Sequence, residues 1–191
     1  MPHCSGFSGR LLFNQEFSIQ QSRASMANHS YMSITGNRRG LISAGCSDTD
    51  SIGNRCQLGH LDEIMVLAYS HNMTTGNNGG VTADRGQHLP IMITKNIDKS
   101  SPLLSAALHE REVLDCTIFF YRTSPAGIQD KYFKIHIAGA KIAHINLQVP
   151  HAIHLNDAQP QELVSFTYRE ISWTHLQAGT CGFSRWENED E

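Results

Sequence analysis

From Met26 onward, apolar residues alternate with polar ones in short stretches, and this period of two constrains the fold more than any other feature of the chain. Successive side chains of a strand point to opposite faces, so the alternation predicts strands with one buried face. The clearest examples are residues 114–121, 132–137 and 143–149. Gly, Asn, Asp and Pro residues separate the stretches, as is typical between antiparallel strands. The sequence therefore predicts a mainly β fold.

Further strands are predicted on both sides of these three. They cover residues 31–35, 64–69, 91–97 and 164–173. In 64–69 both faces are apolar, so we expect this strand to be covered on both sides. The last stretch changes parity near Arg169 and Glu170, which indicates a bulge there. Turns are expected at residues 124–127, which include Pro and Gly, and at Gly139.

One helix is predicted among the strands. Ser100 or Ser101 can cap it, and Pro102 suits its first turn. A single apolar stripe then follows over about three turns, formed by Leu103, Leu104, Ala107 and Leu108. Such a helix must lie against the sheet. Several short antiparallel strands with one packed helix favour an antiparallel β-barrel (two packed sheets) with one flanking α-helix, because closure removes exposed strand edges.

Length and charge limit the remaining possibilities. At 191 residues the chain is long enough for one domain, predicted to span 26–186. We expect residues 1–25 to be a disordered leader or upstream extension without the features of a signal peptide, and 187–191 to be an acidic tail. A net charge of −3 disfavours nucleic acid as a partner. No apolar run reaches the ~18–20 residues of a membrane span, so no membrane insertion is expected.

The sequence offers little for catalysis or metal binding. His151 and His154 lie three residues apart without a third ligand nearby, whereas zinc needs three or four. We interpret the other strand histidines, among them His71, as isolated residues. Residues 48–53 resemble the start of a calcium loop but lack its later oxygen ligands. With no nucleophile motif and no phosphate-binding loop, we expect no enzyme activity, no cofactor and no metal. Whether Cys46 and Cys56 form a disulfide stays open.

The segment from Thr74 to His88 contains four glycines and few residues that could be buried. A loop of this length in a compact domain is usually functional or disordered. Two readings stay open on composition alone: a mobile loop on a monomer, or an arm that becomes ordered on a neighbouring subunit.

Five stretches of the chain together resemble the haemolysin-coregulated protein (Hcp) family, the tube proteins of bacterial type VI secretion, and most closely its enterobacterial branch. The order and spacing agree from Asn28 to about Trp186. The matching stretches are Ser33-Ile34-Thr35-Gly36, residues 60–64 (HLDEI), residues 93–104 (ITKNIDKSSPLL), Phe120-Tyr121-Arg122-Thr123 and residues 168–173 (YREISW).

The resemblance implies a subunit that forms hexameric rings. Rings of this family stack into a hollow tube inside a sheath, beneath a spike, and can carry effectors in the lumen. It further implies residence in the bacterial cytoplasm before firing, then export through the apparatus itself without a cleaved signal peptide. The open alternative is a monomeric small β-barrel binding module or hydrolase, which a mass measurement in solution would distinguish.

Two sets of candidate residues follow from this resemblance. We expect the glycine-rich segment to lie at the subunit or ring-to-ring contact, and the polar face of the strand after Gly139 to line the lumen. The contact candidates are Thr74, Thr75, Gly76, Asn77, Asn78, Gly79, Gly80, Val81, Asp84 and Arg85. The lumen candidates are His144, Asn146 and Gln148.

Overall fold

A computed structural model describes residues 29–78, 81–124, 127–155 and 158–186, and it is built mainly of antiparallel strands. The predicted leader and acidic tail lie outside these ranges. The strands are β1 (Ser30–Gly36), β2 (Gly40–Leu41), β3 (Ile64–Ser70), β4 (Met73–Asn78), β5 (Val81–His88), β6 (Ile91–Asn96), β7 (Leu114–Thr123), β8 (Gln129–Gln148), β9 (Gln161–Thr167), β10 (Glu170–His175) and β11 (Thr180–Arg185). The helices are α1 (Thr49–Ile52) and α2 (Ser101–His109), with a 3-10 turn at Gly53–Arg55.

Nine strands form one sheet that closes on itself, which confirms the predicted antiparallel barrel. The strand order is β11-β10-β8-β7-β1-β3-β6-β9, with β2 beside β1, and β9 pairs back onto β8. β4 and β5 form a second, two-stranded sheet. Neither helix of the described ranges has the length and hydropathy needed to cross a membrane.

The strand β8 makes closure of the barrel possible because its two halves pair with two different strands. Its first half pairs with β10 on one side and with β7 on the other, and its second half pairs with β9. The predicted turn at Gly139 is therefore wrong, since the strand continues through it. Gly139 has φ 63°, a conformation that glycine adopts without strain, and it bends the strand between its two partners.

The predicted strand 164–173 is two strands joined by a corner, not one strand with a bulge. β9 ends at Thr167 and β10 begins at Glu170. Between them, the Arg169 amide donates to the carbonyl of Ala138 over 3.1 Å. The parity of the apolar residues changes at this corner. Before it, β9 pairs with β6 and the second half of β8; after it, β10 pairs with the first half of β8 and with β11.

The barrel interior is filled by the inward faces of its strands, with α2 packed on β8. Leu104 and Ala107 of α2 are buried as predicted, but Leu103 is exposed. Ser100 makes no capping bond with its side chain; instead Asp98 Oδ1 accepts from the Ser100 amide over 2.8 Å. The expectation for 64–69 is also wrong in part, because Leu67 of β3 is exposed.

Candidate assembly site

The segment from Thr74 to His88 is a β-hairpin, so the expectation of an irregular loop is wrong. β4 and β5 pair from Met73 with His88 up to Asn78 with Val81, and a register shift lies between Thr75 and Asn77. Ladder hydrogen bonds use backbone groups, so strands with few apolar side chains can still pair. The alternation that reveals other strands is missing here because it arises only where one face packs against a core.

The contact candidates are distributed along this hairpin. Thr74 and Thr75 lie on β4 near the barrel with exposed side chains. The backbones of Gly76, Asn77 and Asn78 continue β4, and those of Val81, Asp84 and Arg85 belong to β5. Gly79 and Gly80, at the tip, lie outside the described residues. The structure thus places the described candidates on one hairpin, and whether they touch a neighbour stays a prediction.

The base of the hairpin is held to the barrel by a small polar network, which we call the hairpin root: His71, His88, Tyr168 and Ser184. The Tyr168 hydroxyl lies 2.8 Å from His88 Nδ1 and 2.7 Å from His71 Nε2, and Ser184 Oγ lies 2.9 Å from His88 Nε2. The expectation that His71 is isolated is therefore wrong. Strand periodicity could not reveal the cluster, because its members are far apart in sequence.

The lumen candidates share one outward face of the barrel, which we call the bore face. His144, Asn146 and Gln148 of β8 stand opposite residues of β9, which in turn stand opposite residues of β6. These partners are Ser165, Leu163 and Gln161 on β9, and Met92, Thr94 and Asn96 on β6. None of these side chains is formally charged at neutral pH when histidine is neutral. The structure brings the three candidates onto a wider uncharged face, and the lumen role itself stays a prediction.

A buried charged cluster lies on the opposite, inward side of the same strands. Lys95 of β6 is fully buried, and its Nζ lies 2.8 Å from Glu162 Oε2 and 3.0 Å from Asp98 Oδ1. Lys95 also donates to Ser101 Oγ at the start of α2 over 3.1 Å. The cluster ties β6, β9 and α2 together. The alternation in the sequence indicates that Lys95 points inward, because Lys95 lies on the same buried face as Ile91 and Ile93.

A second buried carboxylate anchors the turn after β1. Glu112 accepts from the backbone amides of Arg38 and Arg39 over 2.7 and 2.9 Å, and it is paired with the Arg39 guanidinium. Burial raises the pKa of the Glu112 carboxyl, but these donors outweigh burial and hold the pKa below its usual range. The Cβ of any larger residue at Gly36 would lie 2.4 Å from Glu112 Oε1. Gly36 therefore leaves room for this carboxylate.

Outside the hairpin root, the described residues that were considered for metal binding or catalysis lie apart from one another. Among the described residues, no three metal-ligating side chains converge, and the rings of His151 and His154 lie 4.5 Å apart without a third ligand. Asp48, in the calcium-like stretch, caps α1 by accepting from the Ser51 amide. Cys46 and Cys56 are free thiols, and burial raises the pKa of Cys46 to about 11. Asp48 therefore has a structural role as the cap of α1.

Comparison with known proteins gives the same family from sequence and from structure. The family model described as "Type VI secretion system effector, Hcp" matches residues 18–175. A "Major exported protein" of Pseudomonas aeruginosa is 42% identical over 174 residues, which are 85% of this chain and 98% of that protein.

Two solved structures extend this likeness to the fold. An Hcp protein crystal structure matches with a TM-score of 0.80 at 35% identity, over 85% of this chain and 99% of the other. The secreted protein Hcp3 from Pseudomonas aeruginosa matches with a TM-score of 0.72 at 42% identity, over 85% and 100%. The family match covers most of the chain, including the hairpin and every strand of the barrel sheet except β11. This chain therefore belongs to the Hcp family of type VI secretion, a family of secreted structural proteins.

Proposed function

We propose that this protein self-assembles into hexameric rings that stack into the inner tube of a type VI secretion apparatus. The observation that carries the proposal is the hairpin of β4 and β5, which forms a sheet of its own outside the closed barrel sheet. An isolated two-stranded hairpin is marginally stable in water. Such an element gains stability from a neighbouring surface, and a second copy of the chain is the neighbour that a ring provides.

The barrel itself suits repeated packing. Closure of β9 onto β8 leaves few unpaired edges, so contacts between copies depend on side chains and on the hairpin rather than on open-ended strand addition. Four of the last five residues are acidic. The rest of the chain has 14 acidic and 15 basic side chains, so it is nearly neutral. A nearly neutral body limits repulsion when identical subunits stack.

Shortening the hairpin is expected to abolish ring and tube formation while the barrel stays folded. Residues 75–86 are replaced by Asn-Gly, a two-residue turn that joins the paired positions Thr74 and Gln87. Electron microscopy and mass measurement in solution would show single subunits in place of six-copy rings. Far-UV circular dichroism serves as the folding control. Rings and tubes formed as readily as by the unaltered chain would contradict the contact role of the hairpin.

We further propose that the bore face lines the lumen of the ring and is the surface that effector cargo meets. Its nine positions across β8, β9 and β6 have uncharged side chains, of which seven are polar and two, Leu163 and Met92, are apolar. The other outward face, on β7 and the first half of β8, presents charged groups such as Asp115, Lys131 and Lys134. An uncharged wall does not bind passing proteins through strong charge pairing, which suits a conduit for varied cargo.

A cysteine at Gln148 is expected to react with a small maleimide but not with a maleimide carried on a large polymer once tubes have formed. The background replaces Cys4, Cys56 and Cys181 by Ser, because Cys181 is exposed, Cys56 is a half-buried free thiol and Cys4 lies outside the described residues. A lumen residue is open to small molecules and closed to large ones, whereas unassembled Gln148→Cys protein reacts with both reagents. Mass spectrometry of labelled tubes gives the result. Equal labelling of tubes by both reagents would place Gln148 on the outer surface.

The finer aspects of the role follow from this assembly. We propose that the protein resides in the bacterial cytoplasm before firing and leaves through the apparatus without a cleaved signal peptide. Its partners are then other copies of itself, the sheath and spike proteins and effector cargo, and it has no catalytic activity of its own. A purified chain that stays monomeric at high concentration would favour the alternative of a small binding module or hydrolase.

A further inference from the structure

The hairpin root joins two histidines to one oxygen atom. His71 precedes β4 and His88 ends β5, so the two rings flank the base of the hairpin. Both lie within hydrogen-bond distance of the Tyr168 hydroxyl, which comes from the corner between β9 and β10. The ring centres of the two histidines are 6.0 Å apart. Ser184 of β11 bonds the remaining nitrogen of His88. One hydroxyl therefore links both ends of the hairpin to the barrel.

The Tyr168 hydroxyl has a single proton, and this limits how many of the two imidazoles can be protonated while every hydrogen bond of the network is kept. With neutral rings, the hydroxyl donates to one imidazole and accepts from the other. If only His88 is charged, it donates to Tyr168 and to Ser184, and Tyr168 donates to His71. If only His71 is charged, it donates to Tyr168, which donates to His88. If both are charged, two N–H groups point at one oxygen, and the hydroxyl proton loses its acceptor.

Among the side chains that the structure describes, none compensates for a second charge. Trp173 and Trp186 stack on the His88 ring, and the other titratable group close to Tyr168 is the phenol of Tyr69. Among the described side chains, no carboxylate bonds to either imidazole. Burial lowers the pKa of both histidines below the ordinary 6.5, and the neighbouring His88 lowers the pKa of His71 further.

We propose that the hairpin root is an acid-sensitive latch, in which double protonation of His71 and His88 detaches the base of the hairpin from Tyr168 and Ser184. The fold favours the neutral rings. Their contribution is therefore fully present above the unfolded pKa of 6.5 and is lost as the pH falls below that value. This inference goes beyond the proposed function, because the latch acts within one subunit whether or not the hairpin contacts a neighbour.

Hydrogen exchange of the full-length protein between pH 7.5 and 5 tests the latch. After correction for the intrinsic effect of pH, exchange at the hairpin base is expected to rise about tenfold, a factor in the range expected when one hydrogen bond of the root is lost. The amide of Leu89, which donates to the Asn72 carbonyl over 3.0 Å, is a direct reporter. Unchanged corrected exchange across this range would overturn the proposal.

Two variants separate the latch from a general effect of acid. His71→Gln should lose the acid-induced rise, because the network accommodates the one remaining imidazolium. Tyr168→Phe should show fast exchange at the hairpin base already at pH 7.5, with no further rise in acid. His136→Gln is the matched control, since His136 pairs with Asp115 on another face and should keep the normal profile. A normal acid-induced rise in both His71→Gln and Tyr168→Phe would contradict the latch.

Tryptophan fluorescence gives a second readout without exchange. The chain has two tryptophans, and both stack on rings of the hairpin root. An imidazolium beside an indole quenches its emission, so the emission should fall with acid and His71→Gln should alter the midpoint. Identical titration curves for the unaltered chain and His71→Gln would count against coupling between the two rings.

Discussion

Replacement of Lys95 by Met is expected to lower the free energy of unfolding by roughly 3–5 kcal/mol, the cost of breaking a buried ion pair from one side. Met is unbranched like Lys and only one heavy atom shorter, so the principal loss is the charge. The carboxylates of Asp98 and Glu162 would then remain buried without their shared ammonium partner. Urea unfolding at one fixed protein concentration gives the difference, because assembly adds to apparent stability.

The control for this prediction is Lys141→Met, on an exposed position of β8, where a change within about 0.5 kcal/mol is expected. Combining Lys95→Met with Glu162→Gln should recover part of the loss, because one of the two stranded charges is removed. A loss below about 1 kcal/mol for Lys95→Met would show that water or rearrangement satisfies the carboxylates.

Replacement of Gly36 by Ala is expected to lower the free energy of unfolding by about 3 kcal/mol, since buried groups left unsatisfied cost roughly 1–3 kcal/mol each. The added methyl would lie 2.4 Å from Glu112 Oε1 and 3.2 Å from Ile42 Cδ1. Glu112 would have to move away from the amides of Arg38 and Arg39. Thermal and urea unfolding measure the loss.

Gly59→Ala is the matched control, because a methyl group there meets nothing within 4 Å. We expect this change to alter stability by less than about 0.5 kcal/mol. Gly36→Ala combined with Glu112→Asp should lower the free energy of unfolding by less than Gly36→Ala alone, because the shorter Asp side chain leaves space for the added methyl group. If the double variant is as unstable as the sum of both single changes, the clash with Glu112 is not the cause.

The sequence was most informative where one face of a strand is buried. β6, β7 and β9 were predicted because Ile91, Ile118 and Val164 belong to alternating runs, and all three are fully buried. The hairpin of β4 and β5 escaped prediction for the converse reason. Its sequence has no alternation of apolar and polar residues, and its pairing depends on backbone groups that every residue has.

Contacts between side chains that are far apart in the sequence also cannot be predicted from the sequence alone. Tyr168 and His71 are 97 residues apart, and no local pattern links them. Lys95 is a different case, because its inward parity beside Ile93 was visible and implied a buried ammonium. The identity of its partners was not visible, since Glu162 is 67 residues away and the pairing of β6 with β9 is a property of the closed barrel.

The position of β9 in the chain has a consequence for biosynthesis. β9 fills the gap between β6 and the second half of β8, yet residues 161–167 are made after nearly all other strands. Until the ribosome has released them, two strands present open hydrogen-bonding edges, which are prone to pair with other chains. Closure of the barrel must therefore wait until translation has passed residue 167, and a chain cut short before residue 161 would be inclined to aggregate.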